Sequence, residues 1–163
     1  MKIAVVYYSQ SGHTKEMADK VVKGIESVAG CEARAFPLDA IDKEYVKESC
    51  ALIVGSPTYA GTACCAVQSW LESEAGGYDL AGKLGGAFAT AAYVHGGGEL
   101  GMLTILQHML FLGMMVYSSG CAFGDPVIHL GPEAINADHD SFGGLFEIYG
   151  RRFAEQTMKT FGG

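Results

Sequence analysis

Cationic side chains are scarce in this chain. Lysine and arginine total 11 against 18 acidic residues, and the formal net charge is −7. That balance argues against nucleic acid or an anionic membrane surface as the main partner. Long apolar runs are missing too. The run after Met1-Lys2 ends at Tyr7-Tyr8-Ser9, too early for the core of an export signal, and Met109 to Tyr117 is too short to cross a bilayer. A cytoplasmic setting without membrane insertion is the expectation. Cys31, Cys50, Cys64, Cys65 and Cys121 form no C-x-x-C pair and cannot all be bridged. They read as reduced, mostly buried thiols that behave as small hydrophobes, the vicinal Cys64-Cys65 included. His129 and His139 fall in an irregular stretch, and no histidine stands at metal-ligand spacing, so no metal is expected. Repeats and linker-like segments are also lacking, which leaves residues 1–163 as one domain.

What the chain has in quantity is apolar surface and tight turns, with 49% hydrophobic residues and 23 glycines. Residues 2–8 form a continuous apolar run, the mark of a strand covered on both faces. A helical period follows over 14–29, with Ala18, Val22, Ile25 and Ala29 on one face and Gly30 as the stop. Further strands are expected at Glu32 to Phe36, 51–54, 84–91 and Met114 to Tyr117. Helices are expected at 62–74, at Glu99 to Leu112, and from about Ser141 to Phe161. The stretch 118–140 shows no regular period. Alternating strands and helices predict an α/β fold with a doubly wound parallel sheet and right-handed crossovers.

Ligands of such sheets sit beyond the carboxyl ends of the strands. Three polar loops lie there. The first is Ser9-Gln10-Ser11-Gly12-His13-Thr14, the second Gly55-Ser56-Pro57-Thr58-Tyr59-Ala60-Gly61, and the third Thr90-Ala91-Ala92-Tyr93-Val94-His95-Gly96-Gly97-Gly98-Glu99. The first contains no Lys or Arg. It is neither a G-x-G-x-x-G fingerprint nor a P-loop, but it opens a helix, and helix N-termini bind phosphate through backbone N–H groups. Ser11 and Thr14 also suit helix capping, which draws on the same N–H groups. Tyr59 and Tyr93 suit the walls around a flat ring, and Gly96-Gly97-Gly98 lets backbone approach a ligand closely. His108 lies on an apolar helix and reads as a core or interface residue. A phosphoryl-receiving domain would need an acidic cluster at the strand ends, which these loops lack.

The three loops, in this order, resemble the FMN loops of flavodoxin-like proteins. They are most similar to those of the NAD(P)H:quinone oxidoreductases related to the tryptophan repressor-binding protein. Tyr7-Tyr8-Ser9, Gly12-His13 and the later Gly-Gly-x-Glu pattern carry the likeness, over roughly residues 1–117. The resemblance implies a five-stranded parallel sheet of order 2-1-3-4-5. It implies that Ser9, Gln10, Ser11, Gly12, His13 and Thr14 hold the FMN phosphate. Pro57, Thr58, Tyr59, Ala60 and Gly61 would run beside the ribityl chain and ring. Thr90, Ala91, Ala92, Tyr93, Val94, His95, Gly96 and Gly97 would border the ring, and Glu99 would cap the next helix or anchor the loop.

Catalysis is then borne by the flavin. Tyr93 and His95 are candidate ring-edge contacts, and NAD(P)H is the implied donor to quinones or similar small acceptors. A homo-oligomer, dimer or tetramer, is implied by the same analogy. The alternative is a flavodoxin-type electron carrier with no substrate of its own. The chain departs from the reductases in having Phe111-Leu112 where they carry paired histidines. It has Tyr78 and Asp79 near the place of their pocket tryptophan.

Overall fold

The computed structural model describes residues 1–135 and 141–163. Ile3, Ala4, Val5 and Val6 are all fully buried, as consecutive strand residues are only when both faces of a sheet are covered. Their strand, β1 (Lys2–Tyr7), runs in the interior, parallel to β2 (Glu32–Pro37) on one side and β3 (Ala51–Tyr59) on the other. A two-residue strand, β4 (Thr62–Ala63), folds back on the end of β3. β5 (Leu84–Ala91) pairs with β3, and β6 (Met115–Val116) with β5. The order β2-β1-β3-β5-β6 is the expected 2-1-3-4-5 with β4 set aside.

Helices cover both faces. α1 (His13–Glu26) and α5 (Gly143–Phe161) lie on one, where Ile3, Val5 and Phe88 meet Phe146, Tyr149 and Phe153. These two helices touch backbone to backbone: a Cβ at Gly24 would stand 2.1 Å from the Glu147 carbonyl oxygen, and one at Gly150 2.2 Å from that of Val21. The other face carries α2 (Lys43–Glu48), α3 (Cys65–Ser73) and α4 (Gly98–Phe111), whose Val46, Val67, Trp70 and Ile105 pack on Ala4, Val6, Leu52 and Val54.

Several boundaries differ from the sequence reading. α1 ends at Glu26, so Ala29 is exposed and the buried face runs through Met17, Val21, Gly24 and Ile25. Residues 62–63 are strand rather than helix, because Ala60 and Gly61 both take left-handed backbone (φ 51° and 81°) and close a tight hairpin. The short α2, capped by the Asp42 carboxylate on the Tyr45 N–H, escaped the sequence pattern. Of the cysteines only Cys64 is buried. Cys31 and Cys50 are half-buried, and Cys65 and Cys121 exposed, so the expectation of mostly buried thiols does not hold.

The irregular stretch has an identifiable anchor. β6 pairs only with the start of β5, and β7 (Glu133–Ile135) takes the same side at its end, Ala89 facing Glu133. Between them the chain bulges out and is pinned by Arg152 of α5. The buried guanidinium donates to the Pro126 carbonyl at 2.8 Å, to Ser119 Oγ at 3.2 Å, and to the Phe123 and Asp125 carbonyls at 3.3 Å. His139 and the rest of 136–140 lie outside the described residues.

Candidate functional site

β1 delivers the first loop to the carboxyl edge of the sheet. Gly12, at φ 97°, turns the chain into α1, and its N–H donates to Ser9 Oγ at 3.2 Å. No side chain caps α1. Ser11 and Thr14 therefore do not serve as caps, and the positive end of the helix dipole faces the loop. Ser11 Oγ lies 3.4 Å from His13 Nδ1, which orients the imidazole along the loop. Thr14 is buried, and its hydroxyl meets that of Thr90 at 2.8 Å. That contact joins the first and third loops directly.

β3 carries the second loop to the same edge. The buried Ser56 hydroxyl donates to the Pro57 carbonyl at 2.7 Å and accepts from the Cys64 N–H at 3.0 Å, which stiffens the turn. Tyr59 Oη donates to Gln10 Oε1 at 3.2 Å and so bridges to the first loop. Burial, then the neighbouring Tyr8 and Cys64, pushes the Tyr59 phenol above its ordinary range, so it stays a donor at neutral pH. Thr58 Oγ1 is buried with no hydrogen-bond partner among the described residues. Buried hydroxyls are normally paired, so this one is an exception in the wall of the site.

The third loop follows β5. Thr90 and Ala91 are buried, while Tyr93, Val94 and His95 stand out at its tip, His95 in left-handed backbone at φ 61°. A Gly96 N–H bond to the Tyr93 carbonyl (2.9 Å) closes the tip. Gly97 then presses on the second loop, for a Cβ there would stand 2.3 Å from the Gly61 carbonyl oxygen. Three contacts thus tie the three loops pairwise: Thr14 to Thr90, Tyr59 to Gln10, and Gly97 to Gly61.

The loops enclose a recess of about 120 Å³. Gln10, Ser11, His13 and Thr14 form one wall, Pro57, Thr58 and Tyr59 another, and Thr90, Ala91 and Ala92 the third. Ser9 and Gly12 support this recess from behind rather than lining it. Ala60 and Gly61 make the hairpin beside it, and Tyr93 to Gly97 extend past its mouth, with Tyr93 76% exposed. Among the described residues no lysine or arginine lines it, and no group of His, Cys, Asp and Glu could hold a metal ion. A larger cavity of about 370 Å³ lies nearby, against Tyr8 and Trp70.

Glu99 does not cap α4; the N-cap is Gly97, and Glu99 is exposed. The carboxylate that abuts the helix start belongs to Glu133 on β7, so close that any Cβ at Gly98 would collide with Glu133 Oε1. Burial, reinforced by Glu99, raises the Glu133 carboxyl above the usual range. Sequence reasoning missed Glu133, since only the pairing of β7 with β5 brings it there. His108 Nδ1 meets the Thr104 carbonyl at 2.8 Å, a partner within its own helix.

The sequence and the fold both have counterparts among known proteins. The flavodoxin family profile matches residues 5–99. A flavodoxin of Clostridium saccharobutylicum is 37% identical over 161 residues, covering 99% of this chain and all of the relative. An NAD(P)H dehydrogenase (quinone) of Geotalea uraniireducens (strain Rf4) is 31% identical over 150 residues, covering 76% of this chain and 74% of that one. Among solved structures, an archaeal flavodoxin superposes with a TM-score of 0.78 at 27% identity, covering 96% of this chain and 99% of the other. A WrbA-like protein from Agrobacterium tumefaciens shares the fold, with a TM-score of 0.79 at 20% identity over 98% of both chains. The family match runs from the first strand through all three loops, and the end-to-end relative carries it across the remainder: this chain belongs to the flavodoxin family.

Proposed function

We propose that the three loops bind FMN and that the protein carries electrons between partner redox proteins. The recess carries this reading: among the described residues it has neutral donors at an uncapped helix start, an unpaired buried hydroxyl at Thr58, and no lysine or arginine in its walls. Those features suit a phosphate and a polyol chain, both rich in acceptors. Bound FMN supplies reversible electron uptake at its isoalloxazine ring. The first loop and the opening turn of α1 receive the phosphate through backbone N–H groups and the Ser11 hydroxyl. Thr58 Oγ1 donates to the ribityl region, and the third loop, with Tyr93 and His95 at its tip, borders the ring. The carrier reading gains from the end-to-end similarity to a flavodoxin and from the lack of a histidine at Phe111-Leu112.

A second reading, an NAD(P)H-dependent reductase of quinones or similar acceptors, is favoured by the relatives named for that activity. One experiment separates them. FMN-loaded protein mixed anaerobically with NADH or NADPH keeps its yellow colour for minutes if it is a carrier, and bleaches within seconds if it is the reductase. The cofactor itself is tested by Ser11→Ala, which should weaken FMN binding by about 1.5 kcal/mol, roughly tenfold. Unchanged affinity would place the phosphate elsewhere.

Self-association belongs to the same proposal. Leu100, Leu103, Leu110 and Phe111 lie exposed along the outer side of α4, and a second copy laid against them would cover a helix that is apolar nearly all round.

A further inference from the structure

The largest unexplained space near the site is the cavity of about 370 Å³ on the far side of the first loop. Tyr8 and Ser9 form part of its wall, while the recess of the three loops begins at Gln10, so the two spaces adjoin without sharing a residue. Its body is apolar and aromatic, with Tyr8, Leu38, Ala66 and Trp70. Its polar rim is acidic, with Asp39 and Glu74, and among the described residues no Lys, Arg or His lines it.

We propose that this cavity, walled by Tyr8 and Trp70 and edged by Asp39 and Glu74, binds a small organic cation with an apolar body. Three observations converge on it. The volume is in the range of small-molecule sites. Tyr8, half-buried, and Trp70 give the cavity an aromatic wall. Asp39 and Glu74 are exposed carboxylates that form no ion pair among the described residues. Aromatic faces and unpaired carboxylates around one space attract an ammonium group and repel an anion. A phosphate held in the neighbouring recess would add to that preference. The occupant is thus an amine or quaternary ammonium on an aryl or alkyl body.

Trp70 is the single tryptophan of the chain, so its emission reports on this cavity alone. Phenethylamine and phenylacetate share a body and differ in charge. Titrated into the purified protein and followed by Trp70 emission and by calorimetry, phenethylamine should bind saturably and at least tenfold more tightly than phenylacetate. The double variant Asp39→Asn/Glu74→Gln should lose at least tenfold in amine affinity while its FMN affinity stays within twofold. The proposal is overturned if no saturable binding appears, if the two probes bind equally, if the double variant binds the amine undiminished, or if FMN displaces it. Failure of FMN to bind would strike the cofactor reading and leave this measurement intact.

Discussion

Beneath α1 and α5 the sheet carries Phe88, Phe146, Tyr149 and Phe153, every one fully buried, and the two helices meet through Gly24 and Gly150. On the side of α3 and α4 more large apolar side chains stay in solvent. Cavities of about 370 Å³ and 350 Å³ open beside Trp70 and Phe111, and four large apolar side chains of α4 face outward. The first face supplies cohesion through interlocked rings and touching backbones, with a hollow of about 450 Å³ opening outside them between α1 and α5 at Gly24 and Glu147. The second leaves four apolar side chains of α4 in solvent. Fully buried rings and exposed apolar side chains are therefore divided between the two sides of one sheet.

That division can be broken experimentally. Phe146→Ala, on the sealed face, should cost about 3–5 kcal/mol and lower Tm by more than 6 °C in a thermal scan. Phe111→Ser, on the open face, removes an equally large ring that is 88% exposed. It should leave the stability of the isolated chain within about 0.5 kcal/mol, yet lower the apparent mass in sedimentation if α4 pairs with a second copy. Similar Tm losses from both substitutions would refute the contrast.

The smallest effect concerns Glu133, beside the start of α4. Burial raises its folded-state carboxyl pKa above the unfolded value. Its contribution to stability is then fully present below the unfolded pKa and lost as pH rises through the folded one. Glu133→Gln should accordingly leave Tm unchanged near pH 4 and raise it by about a degree at pH 7. A lower Tm at pH 7 would mean that the charged carboxylate is favoured by the helix dipole instead.

Much of this was legible in the sequence because the signals are local. The apolar run Ile3 to Tyr8, the small-residue strand 84–91 and the three polar loops each declare themselves within a dozen residues, and the family they resemble implies the sheet order. Tertiary features were hidden. Arg152 pins a segment about thirty residues upstream through backbone carbonyls, which no periodicity encodes. Thr62-Ala63 reads as the start of the following helix, not as a strand, because the two residues run straight into α3. The cavity against Trp70 draws its walls from β1, the segment after β2, and α3, so no stretch of chain announces it.

The buried contact between the Thr14 and Thr90 hydroxyls joins the opening turn to the end of a distant strand through one shared proton. Only one of the two can donate across it. Were an anion to claim the Thr14 proton, Thr90 would have to swing its own hydrogen inward. A group gripping one turn would thereby set the polarity of another strand's end 76 positions further along the polymer.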